Sequence, residues 1–289
     1  MTDPALVLVA HGTRSTRGVE MVAELAAAVA RELTTPVRTA FVDVLGPSPA
    51  EVLRDLAVHP VCPATAPTYG PGTSQPFGPG AAETFGPGAA QIFGRGAGET
   101  CGPGTAETCG PGTLFAGAIV VPAFLASGYH VYQDVPREVA ESGHPAVAVT
   151  PALGPDPALA RIMRIRLLAA GWRPGDAVVF AAAGSSDPRA RADVRRAADL
   201  LADRLDTPVH RAYIATGAPR VADVVARLRD SGERRVFIAS YLLAHGLFQQ
   251  RLHEAGADGV AEPIGVHPAV VRLLAARYHT AARELAPVR

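Results

Sequence analysis

The chain has 289 residues, 48% of them hydrophobic, enough to bury the cores of one large or two smaller α/β units. Its 27 basic residues, all arginine, balance 27 acidic ones without a long block of either sign, which argues against a nucleic-acid surface or a polybasic membrane anchor. No run approaches the ~18 apolar residues of a membrane span, the N-terminus lacks the basic start of a signal peptide, and three cysteines make no disulfide framework; a cytoplasmic protein is expected.

The first half alternates strands and helices. LVLVA (6–10) reads as a buried strand and 18–33 as a helix with Val22, Leu25, Ala26, Val29 and Leu33 on one face. VRTAFVDV (37–44) is the second strand. Ser48 and Pro49 open a short helix over 49–58. AIVVP (118–122) is the third strand, a helix begins near Val131, AVAVT (146–150) is the fourth strand, and a helix over 157–170 ends at Gly171. The second half repeats the course: strand 177–182, helix 189–205, strand 209–215, helix 221–230, strand 235–240, a short helix over 249–254, a weak strand DGVAEP and a terminal helix over 269–285. Strands alternating with helices predict an α/β fold of parallel sheets with helices on both faces. AHGT (10–13) lies over AAGS (182–185) and FLASGYHV (124–131) over LLAHGLFQ (242–249), so the halves read as an internal duplication.

Residues 60–115 stand apart. Glycine recurs at 70, 78, 86, 94, 102 and 110, an eight-residue period rich in proline and poor in apolar side chains. Such a tract cannot bury enough surface to offset its ordering entropy, and it is expected to be a disordered insert. Cys101 and Cys109 sit one period apart within it, with no zinc-ligand spacing, and are read as by-products of the repeat. The expected units are an N-terminal domain (1–150) carrying the histidines, interrupted by this insert, and a C-terminal domain (151–289), with helix 157–170 bridging them.

Two histidines carry the chemistry. His11 stands where the first strand stops, and His130 follows the third strand and a glycine turn; open α/β sheets place ligands at such carboxyl ends. In the second half Ala183 and Phe248 occupy the matching places, and His245 aligns with Ser127 instead. One half therefore reads as a working site and the other as its scaffold copy. Neutral imidazoles bind borderline divalent metals and take up protons near pH 7. Asp43, at the end of the second strand, is the third candidate: it either completes a metal site, accepts a proton, or serves the turn before Pro47. No helix opens with a Gly-rich phosphate loop or a dinucleotide fingerprint, so no nucleotide cofactor is expected.

The strand-AHGTR motif, AFVDVLGPSPAEVL, VVPAFLASGYHVYQDVP, GSSDPRARAD and IASYLLAHGLFQQRL together resemble the class II tetrapyrrole chelatases of the CbiX/SirB type, over essentially the whole chain outside the insert. The resemblance implies two similar α/β domains facing each other across a cleft that holds the macrocycle. It implies insertion of Fe²⁺ or Co²⁺, as substrate, into sirohydrochlorin, for siroheme or cobalamin synthesis. The family's metal-handling histidines map onto His11 and His130, and its acidic residue, more often Glu, onto the shorter Asp43. For a carboxylate-rich substrate, Arg14, Arg17, Ser185 and Ser186 are the candidate donors. The chain would act as a monomer with two pseudo-symmetric halves or as a homodimer. A non-catalytic metal or tetrapyrrole carrier is the alternative reading, prompted by the large insert and the shortened acid.

Overall fold

The computed structural model describes residues 3–58 and 117–285; the octad tract with Cys101 and Cys109 lies outside the described residues. In chain order the first half forms β1 (Ala5–Ala10), α1 (Thr16–Leu33), β2 (Val37–Phe41), α2 (Pro49–Val58), β3 (Ala118–Pro122), a π-helical turn (His130–Asp134), α3 (Val135–Ser142), β4 (Val147–Val149) and α4 (Pro157–Ala169). The second half forms β5 (Ala177–Gly184), α5 (Pro188–Leu205), β6 (Val209–Thr216), α6 (Val221–Asp230), β7 (Val236–Tyr241), α7 (Leu247–His253), β8 (Gly259–Val260) and α8 (Pro268–Leu285). Two four-stranded sheets result, ordered β2-β1-β3-β4 and β6-β5-β7-β8, with every strand pair parallel. The α/β architecture and the duplication agree with the sequence reading.

Alternation along each central strand divides its apolar residues between two cores. On β1, Ala5, Val7 and Val9 face α2 and α3, whereas Leu6, Leu8 and Ala10 face α1. On β5, Ala177, Val179 and Ala181 face α6 and α7, whereas Val178, Phe180 and Ala182 face the core that also contains Leu6 and Leu8. The two sheets thus share one continuous apolar interior. Fully buried side chains such as Leu8, Phe180 and Ile162 each contribute about 1.5–3 kcal/mol by leaving water.

That interior is continuous because the closing helices change sides. The last helix of the first half, α4, packs on α5 and β7, while the last helix of the second half, α8, packs on α1, β3 and β4. Tyr278 on α8 donates a 2.7 Å hydrogen bond to the Pro4 carbonyl at the start of β1. Arg166 on α4 donates at 3.2 Å to the Ile264 carbonyl. Each half covers one face of the other's sheet.

Helix starts follow the sequence signals. At α2, Ser48 Oγ accepts the Glu51 N–H while Glu51 Oε2 accepts the Ser48 N–H, a reciprocal capping box. Asp156 and Asp187 cap α4 and α5 through the N–H groups of Ala158 and Arg189. β2 is shorter than its sequence predicts: it stops at Phe41, not at residue 44, because the chain turns at Asp43, whose Oδ1 accepts the Val44 N–H, and Val44 takes a left-handed φ of 67°.

At the start of α8 the cap is an imidazole: His267 Nδ1 accepts the Ala269 N–H at 3.1 Å. Only a neutral ring can accept there. Burial, and then the charges of Arg166 and Arg272, hold the His267 pKa below its usual value. Between that lowered value and the unfolded value near 6.5 the unfolded chain binds more protons, so this group's contribution is present above about pH 6.5 and is lost as pH falls through the folded pKa. Urea midpoints measured across mildly alkaline to acidic buffers should therefore fall on the acid side. His267→Asn, which caps without titrating, should flatten that part of the slope; an unchanged slope contradicts this role.

Candidate functional site

His11 is the first residue after β1, and Gly12 decides where it stands. Gly12 has φ +99°, and a Cβ there would lie 2.0 Å from the Asp43 carbonyl oxygen, so only glycine lets the strand end lie against the β2–α2 loop. The Asp43 N–H donates to the His11 carbonyl at 3.1 Å, extending the β1–β2 ladder past both strands. Asp43 is thereby held beside His11. Its Oδ1 is occupied by the N–H of Val44 at 2.8 Å, and the side chain is exposed. Burial and the facing His130 lower the His11 pKa, and the Asp43 charge opposes them without prevailing. The neutral ring is thereby favoured at His11.

His130 arrives from β3 through the loop 123–129. Its ring centroid stands 4.8 Å from that of His11, with the planes inclined at 59°. Phe124 lies nearly parallel to His130 at 6.1 Å and Tyr129 meets it edge-on at 6.1 Å. The chain here makes a π-helical turn, in which the Val135 N–H bonds the His130 carbonyl five residues back. Pro136 accounts for the widening: it has no N–H for the Tyr132 carbonyl, and its ring would crowd that carbonyl in a regular α-helix. Within the turn Asp134, buried, places Oδ2 2.6 Å from His130 Nδ1, and its Oδ1 meets Arg137 at 3.0 Å. Sequence reasoning missed Asp134; the i,i+4 His–Asp spacing in HVYQD was the available signal.

The second half holds the loop that carries His130. Tyr241, at the end of β7, donates a 2.7 Å hydrogen bond to the Leu125 carbonyl. Asp193 on α5 accepts the Ser127 N–H at 2.8 Å. A Cβ at Gly128 would stand 3.3 Å from Ala190 and 3.6 Å from Ser185 Oγ. Burial first, then the carboxylates of Asp193 and Asp156, push the Tyr241 phenol far up, so it remains a donor. The reciprocal contact exists as well: a Cβ at Gly246 would stand 3.3 Å from Thr13 Oγ1, and one at Gly18 2.6 Å from the His245 carbonyl.

The remaining candidates spread around this centre. Ser185 Oγ accepts the Asp187 N–H at 3.0 Å. Ser186 lines a cleft of about 390 Å³ with Tyr129, Asp187, Pro188 and Arg189, joining the neighbour of His130 to the start of α5. Arg189, which the sequence reading passed over, lies 3.8 Å over the Tyr132 ring and is held by Asp187 at 2.9 Å. Arg17 is exposed and 3.8 Å from Glu262, which also meets His245 Nε2 at 2.8 Å; Arg14 is exposed. The structure brings His11, His130 and Asp43 together, with Ser185 against the His130 loop at Gly128 and Ser186 in the cleft beside Tyr129. Among the described residues no group of three His, Cys, Asp or Glu side chains is arranged to hold one metal ion. What the structure does bring together is a pair of imidazole rings whose centroids are 4.8 Å apart.

Comparison with known proteins bears on this geometry. The family model described as CbiX matches residues 5–62, 113–170 and 177–281. A sirohydrochlorin ferrochelatase of Priestia megaterium is 24% identical over 176 residues, covering 56% of this chain and 66% of that protein. Among solved structures, SirB from Bacillus subtilis with Fe³⁺ superposes with a TM-score of 0.66 at 18% identity, covering 97% of this chain and 96% of that one. SirB from Bacillus subtilis subspecies spizizenii in complex with cobalt gives 0.63 at 17% identity, covering 98% and 97%. CbiX of denitrifying bacteria, described as the terminal enzyme for siroheme biosynthesis, gives 0.58 at 21% identity, covering 96% and 99%.

Tyr241→Phe keeps the ring and removes only the hydroxyl, leaving the Leu125 carbonyl without its donor. Denaturant unfolding should show a loss of about 1–3 kcal/mol, and the His130 ring resonances should broaden or shift. Unchanged stability together with unchanged resonances would show that the loop is held by other contacts.

Proposed function

Because the chain belongs to the CbiX family, we propose that it is a metal chelatase that inserts Fe²⁺ or Co²⁺ into sirohydrochlorin. The observation that carries this reading is the 4.8 Å approach of the His11 and His130 rings. Two imidazole nitrogens at 2.0–2.1 Å from one ion put each ring centroid about 3.2 Å from it, so rings 4.8 Å apart can share a single cation at an angle of about 97°, a little above a right angle. The names of the similar proteins, a sirohydrochlorin ferrochelatase and SirB with iron and with cobalt, support the same substrates.

The reaction must strip water from the metal, remove two pyrrolic protons and admit the ion to the ring nitrogens. His11, its neutral ring favoured because burial and His130 lower its pKa, offers a lone pair to the ion. Once the ion moves to the macrocycle, the vacated imidazoles accept the displaced protons. Asp43 beside His11 stabilises the imidazolium so formed, since its charge favours protonation there. A site of two nitrogens holds the ion loosely enough to release it, which a closed four-ligand site would not. The peripheral carboxylates of the substrate meet Arg14, Arg17, Ser185, Ser186 and Arg189 around the cleft. Arg17 exchanges its 3.8 Å contact with Glu262 for a substrate carboxylate. One chain supplies both walls, so a monomer suffices, and a cytoplasmic location suits a small soluble metal and substrate. Among the described residues no helix is long and apolar enough to cross a membrane.

Anaerobic assay with sirohydrochlorin and either Fe²⁺ or Co²⁺, followed by the macrocycle's absorption change, tests this. His11→Ala and His130→Ala should each slow insertion by at least about 100-fold with the fold intact. Wild-type rates in both variants would overturn the assignment, and tight binding of metal or macrocycle by the native chain without product would make it a carrier.

A further inference from the structure

The two histidines are equipped differently. His130 Nδ1 lies 2.6 Å from Asp134 Oδ2, within a π-helical turn that stacks residue i+4 over residue i. The Asp134 side chain is only 10% exposed, and Arg137 meets its second oxygen at 3.0 Å. Among the described residues the His11 ring makes no comparable hydrogen bond. A buried carboxylate acting on one imidazole of a pair, itself anchored by a guanidinium, has no need to exist for packing alone, because burying charge costs free energy unless it is fully partnered.

We propose that Asp134 is a positioning residue: by accepting the Nδ1–H of His130 it fixes the ring's orientation and the tautomer that leaves Nε2 as the nitrogen free to receive the ion. The idea rests on His130 being a metal-handling residue. A carboxylate behind a ligating imidazole orients the ring and makes its other nitrogen a better donor. Arg137 pairs with Asp134 Oδ1, not with the Oδ2 that meets His130; its remaining contacts are with Glu138 and Glu141 at 3.7 Å. The π-turn supplies the geometry, since a regular helix resumes only at Val135.

Long-range ¹H–¹⁵N spectra of the metal-free full-length chain in mildly alkaline buffer report which His130 nitrogen carries the proton. The Nδ1–H tautomer is expected in the wild type, and an Nε2–H tautomer there overturns the proposal without reference to any variant. Titration with Co²⁺ alone, followed by its absorption bands, gives the affinity. Asp134→Leu, which fills the volume without an acceptor, should weaken Co²⁺ binding by about 10–100-fold and release the tautomer. Asp134→Asn retains an acceptor oxygen and should restore most of both; Arg137→Met should leave both near wild type. Wild-type affinity and tautomer in Asp134→Leu, or an equal loss in Arg137→Met, would reduce Asp134 to a structural ion pair. Neither readout uses the macrocycle, so a chain that binds Co²⁺ in this way yet inserts nothing would sink the chelatase reading and leave this one standing.

Discussion

The structure depends on an exchange of cover between its halves. Neither sheet is enclosed by the helices of its own half: α4 lies on β7 and α5, α8 lies on β3, β4 and α1, and the side chains between them form one interior. With that interior shared, the carboxyl ends of the two sheets cannot drift apart. The loops at those ends rest on each other, Gly128 against Ser185 and Ala190, and Gly246 against Thr13. The cleft beside His130 is a consequence of this fixed approach.

The half that lacks the counterparts of His11 and His130 nonetheless shapes their surroundings. Tyr241 and Asp193 hold the loop that delivers His130, while the first half's own contribution is the Gly12 turn that seats His11 beside Asp43. The pair of rings is therefore set by contacts from both halves, and their 4.8 Å separation follows from the fold itself. For a protein that must pass its ion onward, a two-point grip is better suited than a cage, because affinity beyond what capture requires only slows release.

Much of this was legible beforehand. The continuous apolar run of β1, ending at His11, announced a buried parallel strand with an imidazole just past its carboxyl end. Asp43 was placed in the right neighbourhood by its position after the second strand, although that strand stops at Phe41 because Val44 is forced into a left-handed conformation, which a β-branched residue's propensity does not announce. The weak strand over 258–263 shrinks to Gly259–Val260, at the edge of its sheet beside β7. What periodicity could not reveal was partnership. It assigns α8 an apolar face but not the sheet that face covers. It gives Tyr241 as core, and not as the donor to Leu125. Asp134 was hidden for a different reason: its i,i+4 spacing from His130 stands in the sequence, but its burial and its 2.6 Å contact with His130 Nδ1 do not.

The exchanged helices bear on how this molecule comes apart. Stripping α8 from the first sheet would expose Ile119 and Val121 to water, and stripping α4 from the second would do the same for Phe237 and Ala239. Separating the lobes requires both losses at once. Heat or denaturant thus confronts a single cooperative unit rather than two domains melting in turn, and a chain cut between the sequence repeats would leave each fragment with an apolar face that only its absent twin can cover.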